Sequence, residues 1–237
     1  MNSRAETSTE APAEQAQPDD LSLLARYTQQ DDRDALGALF QRHADAAYST
    51  ALRVCRHPDD AEDAVQIAFV KIMQNASAYR GGEGVRVWIM KVVIGTCKDR
   101  IRHEVRRRQR EEHAMEWTDD GLVPAESAGD DGMARDMADA VLHLLDRLPE
   151  HYRLPVWLHH YQGLSLGDAA VALEIPENTL RSQLSRGLEK LRGMLVSRGM
   201  AASVASIAGV MPMMQAEAAP ASLVGSIGYI VHGLGEF

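Results

Sequence analysis

Apolar positions recur three and four residues apart along most of the chain, the period of an α-helix, and no stretch sustains the alternation of a strand. Leu21 to Thr28 reads as a short helix. From Ala35 to Arg56, Leu36, Leu39, Phe40, His43, Ala47, Thr50, Ala51 and Val54 share one face. His57-Pro58-Asp59 breaks the pattern, and Pro58 or Asp59 starts a further helix that runs to about Ala78. In it, Ala61, Ala64, Val65, Ala68 and Ile72 form an inward stripe. Asp63, Gln66, Ile67 and Val70 form a second stripe, partly apolar and partly polar, of the kind a partner surface needs. Tyr79 to Gly84, YRGGEG, is a glycine-rich loop, and a long helix follows from Val85 to about Arg110. Ala134 to Leu148 opens a second helical unit, and Pro149 suits the first turn of another helix through Tyr161. The fold class this predicts is all-α, with two small helical domains.

The second unit ends in GLSLGDAAVALEIPENTLRSQLSRGLEKLR, Gly163 to Arg192. Ser165 can cap a first helix with Asp168 three residues on. The small pair Ala169-Ala170 permits close helix approach. Ile175 and Pro176 end that helix, because a residue before proline avoids the α region. Glu177 or Asn178 starts the next. There Leu180, Leu184, Leu188 and Leu191 share a face, leaving Thr179, Arg181, Ser182, Ser185, Arg186 and Glu189 outside it. This is a helix-turn-helix pattern. Arginine can bond guanine in bidentate fashion, and serine can bond base edges or phosphates.

The formal net charge of −9 would argue against a nucleic-acid partner, but its distribution does not. Between Arg86 and Arg110 stand nine basic and two acidic residues, whereas the acids gather before Asp63 and between Glu111 and Asp139. Local field steers a polyanion, and total charge does not. Cys55 and Cys97 match no zinc spacing and read as reduced core thiols. His57, Asp59, Asp60, Glu62 and Asp63, and the pair His159-His160, lack the repeated spacing of metal ligands. No activated nucleophile is visible. The expectation is a protein without cofactor or metal and without enzymatic activity. The N-terminus has no apolar run of a secretory signal, which points to the cytoplasm.

Ordered along the chain, AEDAVQIAF (Ala61–Phe69), YRGG with VWIMKVV (within Tyr79–Val93) and KDRIRHEVRRR (Lys98–Arg108) resemble sigma region 2. The stretch LDRLPEHYRLPVWLHHYQGLSLGDAAVALEIPENTLRSQLSRGLEKLR resembles sigma region 4. Together, from about Asp20 to Leu195, they resemble extracytoplasmic-function sigma factors of bacterial RNA polymerase. The chain then divides into five parts: a compositionally disordered N-terminus at 1–18, region 2 at 19–112, a flexible acidic linker at 113–133, region 4 at 134–197 and, outside the usual two-domain pattern, an extension at 198–237. The resemblance implies a factor that binds core polymerase, reads the −35 and −10 elements and assists duplex opening. The partners it implies are promoter DNA and the core enzyme, through the clamp helices of the largest subunit and the flap. It leaves open an anti-sigma factor.

Carried onto this sequence, polymerase binding falls on Asp63, Gln66 and Ile67. The −10 element falls on Tyr79, Arg86, Lys91, Lys98, Arg100 and Arg102, with a glycine loop over a basic helix supplying a base pocket and phosphate contacts. The −35 element falls on Arg181, Ser182, Ser185 and Arg186, with Asn178 and Thr179 at a helix start suited to phosphate. Trp88 reads better as a core wedge than as a base-stacking group. Gly95 stands where many relatives carry Asn, and mid-helix glycine costs about 1 kcal/mol relative to alanine, so a kink or an altered −10 preference is expected there. The isolated chain is expected to bind duplex promoter poorly, with polymerase conferring specificity. The main rival, a stand-alone helix-turn-helix regulator, has no use for the upstream unit.

Gly199 to Phe237 has no Lys or Arg, and its acids are Glu217 and Glu236. It admits three readings: a segment folded back on the sigma domains as brace or inhibitor, a membrane contact, or disorder. Gly199–Gln215 has about the length of a short spanning helix, weakened by Pro212 and its glycines and serines.

Overall fold

The computed structural model describes residues 18–112, 133–214 and 217–233. The expected disordered N-terminus up to 17 and the expected linker from 113 to 132 lie outside the described residues. Among the described residues every regular element is helical.

Four helices form the first unit: α1 (Asp20–Gln30), α2 (Arg33–Cys55), α3 (Pro58–Asn75) and α4 (Val85–Glu112). Each boundary has a chemical cause. The Asp19 carboxylate accepts from the Ser22 amide at 2.7 Å and caps α1. Asp32 caps α2 through the Ala35 amide and also receives the Arg26 guanidinium, which locks the α1–α2 corner. Asp31 and Arg56 end α1 and α2 in the left-handed region, at φ 53° and 62°. Pro58 opens α3, as its sequence position suggests. Phe40 and Phe69 stack between α2 and α3 with centroids 4.3 Å apart. Around them Leu36, Leu39, Ala64, Val65, Ile72, Ile89 and Met90 are all fully buried. Cys97 is buried and Cys55 half-buried, both as free thiols. The helix α4 runs unbroken through Gly95. A side chain there would meet nothing within 4 Å.

The second unit holds α5 (Met133–Leu145), α6 (Glu150–Val156), α7 (Leu166–Leu173) and α8 (Glu177–Val196). Here two sequence expectations need correction. The helix expected to reach Leu148 stops at Leu145. The helix expected from Pro149 through Tyr161 is α-helical only to Val156 and widens into a π-turn over Trp157–Tyr161. Pro155 precedes the widened turn. It lies inside the helix, has no amide to donate, and its ring crowds the preceding turn.

The extension forms α9 (Val204–Val210), a 3₁₀ turn (Met211–Met213) and α10 (Ala221–Gly233). Disorder is therefore not its state over the described residues, and Gly199–Gln215 is not one long helix. Among the described residues no helix is long and apolar enough to cross a membrane. Instead α10 lies on α2 and α3, while α9 lies on α5 and α8.

The two units also meet directly. The fully buried Trp157 indole donates to Thr50 Oγ1 at 3.1 Å. Gln162 Nε2 reaches Ser49 Oγ at 3.2 Å. Arg153, almost wholly buried, donates to the Arg53 and Leu148 carbonyls at 2.8 and 2.9 Å. Burial lowers the pKa of Arg153 to about 10.

Candidate promoter and polymerase interfaces

The helix-turn-helix is built as its residues require. Ser165 Oγ accepts from the Asp168 amide at 3.1 Å and donates to its carboxylate at 2.7 Å. The turn uses Glu174 in the left-handed region at φ 56°. The Glu174 amide donates to the Val171 carbonyl and the Ile175 amide to the Ala170 carbonyl. Pro176 precedes α8 and offers no side-chain cap, so the first amides of α8 remain available to an anion. Leu180, Leu188 and Leu191 are buried. Gly187 lets α6 approach: an added Cβ would lie 2.9 Å from Val156 and 3.2 Å from the Tyr152 carbonyl. With that face committed, Asn178, Thr179, Arg181, Ser182, Ser185 and Arg186 are all exposed on the outer side. Arg181 is held along its own helix by Glu177.

The expected −10 residues have a different fate. The Tyr79 hydroxyl donates to the Glu83 carbonyl and closes the glycine loop, whose Gly81 has φ 75°. Its ring tilts against Trp88 at 5.4 Å, and both rings pack against the core. Arg86 donates to the Gln162 carbonyl at 2.8 Å and to its side-chain oxygen at 3.0 Å. Burial lowers the Arg86 pKa, with Asp20 opposing. Lys91 pairs with Glu174 at 3.2 Å and Lys98 with Glu150 at 3.7 Å. Three of the proposed phosphate-binding cations thus contact the second unit. Arg100 turns to Asp60 and Asp63 on α3, at 2.9 and 3.2 Å, and Arg102 to Asp99 on its own helix. Sequence periodicity placed these groups on α4 but could not reveal which partners would neutralise them.

The polymerase candidates lie on α3, along the edge that faces Arg100. Asp63 is exposed, Gln66 donates to Glu62, and Ile67 is 39% exposed. Ile67 borders an open cleft of about 1150 Å³ between α3 and α4, shared with Lys71, Arg100, Ile101 and Val105. Ile101 and Val105 are exposed apolar residues that sequence periodicity alone did not single out. Their spacing of four within a basic run was the available signal. Among the described residues no cluster of potential metal ligands occurs.

Two family models match this chain: Sigma-70 region 2 over residues 39–107 and Sigma-70 region 4 over 138–191. The chain is 30% identical over 176 residues to the ECF RNA polymerase sigma factor SigM of Mycobacterium tuberculosis, covering 74% of this chain and 84% of that one. It is 31% identical over 169 residues to the RNA polymerase sigma factor CarQ of Myxococcus xanthus, covering 69% and 90%. The chain belongs to the ECF sigma factors of RNA polymerase. As an ECF sigma factor it is a non-enzymatic initiation factor that recognises promoters with the core enzyme. Its fold resembles CnrH, solved in complex with the cytosolic domain of CnrY, with a TM-score of 0.53 and 20% identity over 76% of this chain and 99% of that one. It also resembles the sigma factor RpoE of Bartonella quintana, solved with the anti-sigma factor NepR, with a TM-score of 0.52 and 19% identity over 72% and 98%. The helices α9 and α10 lie beyond both matched regions.

Proposed function

We propose that α8 reads the −35 element through Asn178, Thr179, Arg181, Ser182, Ser185 and Arg186. The observation that carries this is their shared outer face on a helix whose leucine face is buried. Arg181 and Arg186 supply the guanidinium forks, the serines adaptable hydrogen bonds, and the uncapped start of α8 a phosphate seat. The first unit, 19–112, takes the −10 element along the Tyr79–Val87 loop and α4, with Arg86, Lys91, Lys98, Arg100 and Arg102 on phosphates. The second unit, 134–197, acts with it in the cytoplasm once both are held by core polymerase. Asp63, Gln66 and Ile67, joined by Ile101 and Val105, meet the clamp helices of the largest subunit, and the second unit meets the flap. The apolar-polar mixture of that edge supports the assignment. By analogy with the solved relatives, an anti-sigma factor is a natural further partner.

Geometry requires the protein to open for this work. The two elements are separated by roughly 25 base pairs, on the order of 80 Å at 3.4 Å per base pair. A compact chain of 237 residues has a radius of gyration of about 18 Å and a diameter on the order of 45 Å. The two units must therefore part, and the cations of α4 must exchange Gln162, Glu174 and Glu150 for phosphate. Run-off transcription with purified core polymerase on a library of promoter fragments tests the assignment. Arg181→Ala should weaken −35 recognition by about 1–3 kcal/mol and relax base preference there. Equal affinity of the variant and parent for a selected promoter would refute it.

A further inference from the structure

We infer that the C-terminal extension is an intramolecular strap. It holds the two sigma units closed and must be released before the −10 surface can engage DNA. The inference rests on the −10 assignment of α4 above. Its physical basis is that the segment grips both units at once.

On one side Ile207 is buried where α9 lies on α5 and α8, and Met211 is buried where its 3₁₀ turn lies on the π-turn Trp157–Tyr161. On the other, Leu223, Ile227, Ile230 and Val231 form the buried stripe of α10 on α2 and α3. That stripe follows helical spacing, so α10 is shaped for this seat. Polar ties fix its two ends. The Asp45 carboxylate accepts from the Ala219 amide at 2.8 Å just before α10. At the far end Arg33 donates to the Val231 carbonyl at 3.2 Å, which satisfies a last-turn acceptor.

Between the two helices Glu217 meets Arg53, a side chain of α2 with 4% exposure. Arg53 also binds Asp146, which follows α5 in the second unit, and lies over the Trp157 ring at 4.8 Å. Burial opposes the Arg53 charge, but Asp146 and Glu217 outweigh it and raise its pKa. One buried cation therefore joins the first unit, the second unit and the extension. Arg53 is buried while Asp146 and Glu217 reach the surface, so loss of Glu217 leaves a desolvated guanidinium with one fewer counter-charge. Glu217 is the latch of the strap. The closed state it secures is the one in which Arg86, Lys91 and Lys98 face the second unit, while the −35 surface of α8 stays open to solvent.

The test compares the full chain with Glu217→Lys, which sets a second cation against Arg53, and Ile227→Asp, which unseats α10 without touching the latch. X-ray scattering reports compactness, hydrogen exchange reports the integrity of each unit, and transcription with core polymerase on the promoter library reports function. Both variants should be more expanded than the parent, keep the amide protection of the α2–α3 and α7–α8 cores, and give severalfold more transcript. Variants that stay as compact as the parent would overturn the strap. Expanded variants with unchanged or lower transcript, their cores intact, would overturn its inhibitory role. Where one variant loses core protection, the other decides. Loss in both would mean that the extension is part of the fold, which also overturns the inference. Co-elution with core polymerase separates the two readings. If parent and variants all fail to bind, the interface assignment falls while the scattering result still judges the strap.

Discussion

Single residues set the packing limits of this protein and its response to acid. Gly187 and Gly193 both lie in α8, yet they should answer oppositely to alanine. At Gly187 the new methyl would press on Val156 and on the Tyr152 backbone at 2.9 and 3.2 Å. Overpacking of that kind costs about 1–3 kcal/mol, more than the roughly 1 kcal/mol gained in helix propensity. At Gly193 nothing lies within 4 Å, so only the propensity gain remains. Thermal melts should therefore show Gly187→Ala below the parent and Gly193→Ala above it. His43 and His160 govern the acid side. Burial lowers both pKa values below 6.5, for His43 despite the opposing Asp20 carboxylate and for His160 with help from His159. A base whose folded pKa is depressed binds its proton more readily when unfolded. The histidine contribution to stability should then decline as pH falls below about 6.5 and level off beneath the folded values, while the lowered carboxylates Asp20 and Asp32 lose theirs only at more acid pH. His43→Gln, which can still donate to Asp20, should flatten the decline. An unchanged slope of melting temperature against pH in that variant would contradict the assignment.

At the scale of elements, what was legible from sequence follows from how local each cause is. The helices α1 to α4 and the α7–α8 pair were readable because their apolar stripes, Pro58 and the Ser165–Asp168 cap act within one or two turns. The outer face of α8 was readable for the same reason: its leucines fix the inward side. The π-turn after Pro155 was missed because the sequence pattern stays helical while the hydrogen-bond ladder does not. The partners of Arg86, Lys91 and Lys98 were illegible, since each lies at least 50 residues away and is met only through tertiary closure. Within α8 one further consequence is local. Glu177 places a carboxylate in the first turn, beside the proposed phosphate seat, and holds Arg181 along the helix. An acid there suits the helix dipole but repels a phosphate. Glu177→Gln should tighten binding to a selected promoter by a few tenths to about 1 kcal/mol while slightly lowering the melting temperature. Weaker promoter binding in filter or anisotropy assays would show that Glu177 helps the contact and does not restrain it.

For the whole molecule, the closed arrangement makes a prediction about salt. Each phosphate neutralised on duplex DNA contributes about −0.9 to the slope of log affinity against log salt concentration. In the free chain the cations offered by the proposed reading face of α8 are Arg186 and Arg181, the latter held by an exposed ion pair with Glu177 on its own helix, whereas Arg86, Lys91 and Lys98 are engaged by the second unit. The free chain should therefore bind promoter duplex weakly, with a slope near about −2. Bound to core polymerase, and with the units parted, the α4 cations become available as well. The sigma-dependent part of the slope should then steepen by roughly three, one contribution for each of the cations Arg86, Lys91 and Lys98 released from the second unit. Fluorescence anisotropy across a salt series measures the first quantity. The second is the difference in slope between holoenzymes carrying the parent and an α4 variant with Arg86, Lys91 and Lys98 changed to Gln. A free-chain slope already about −5 would mean that α4 binds DNA without opening, and the internal contacts of its cations would then have no gating effect.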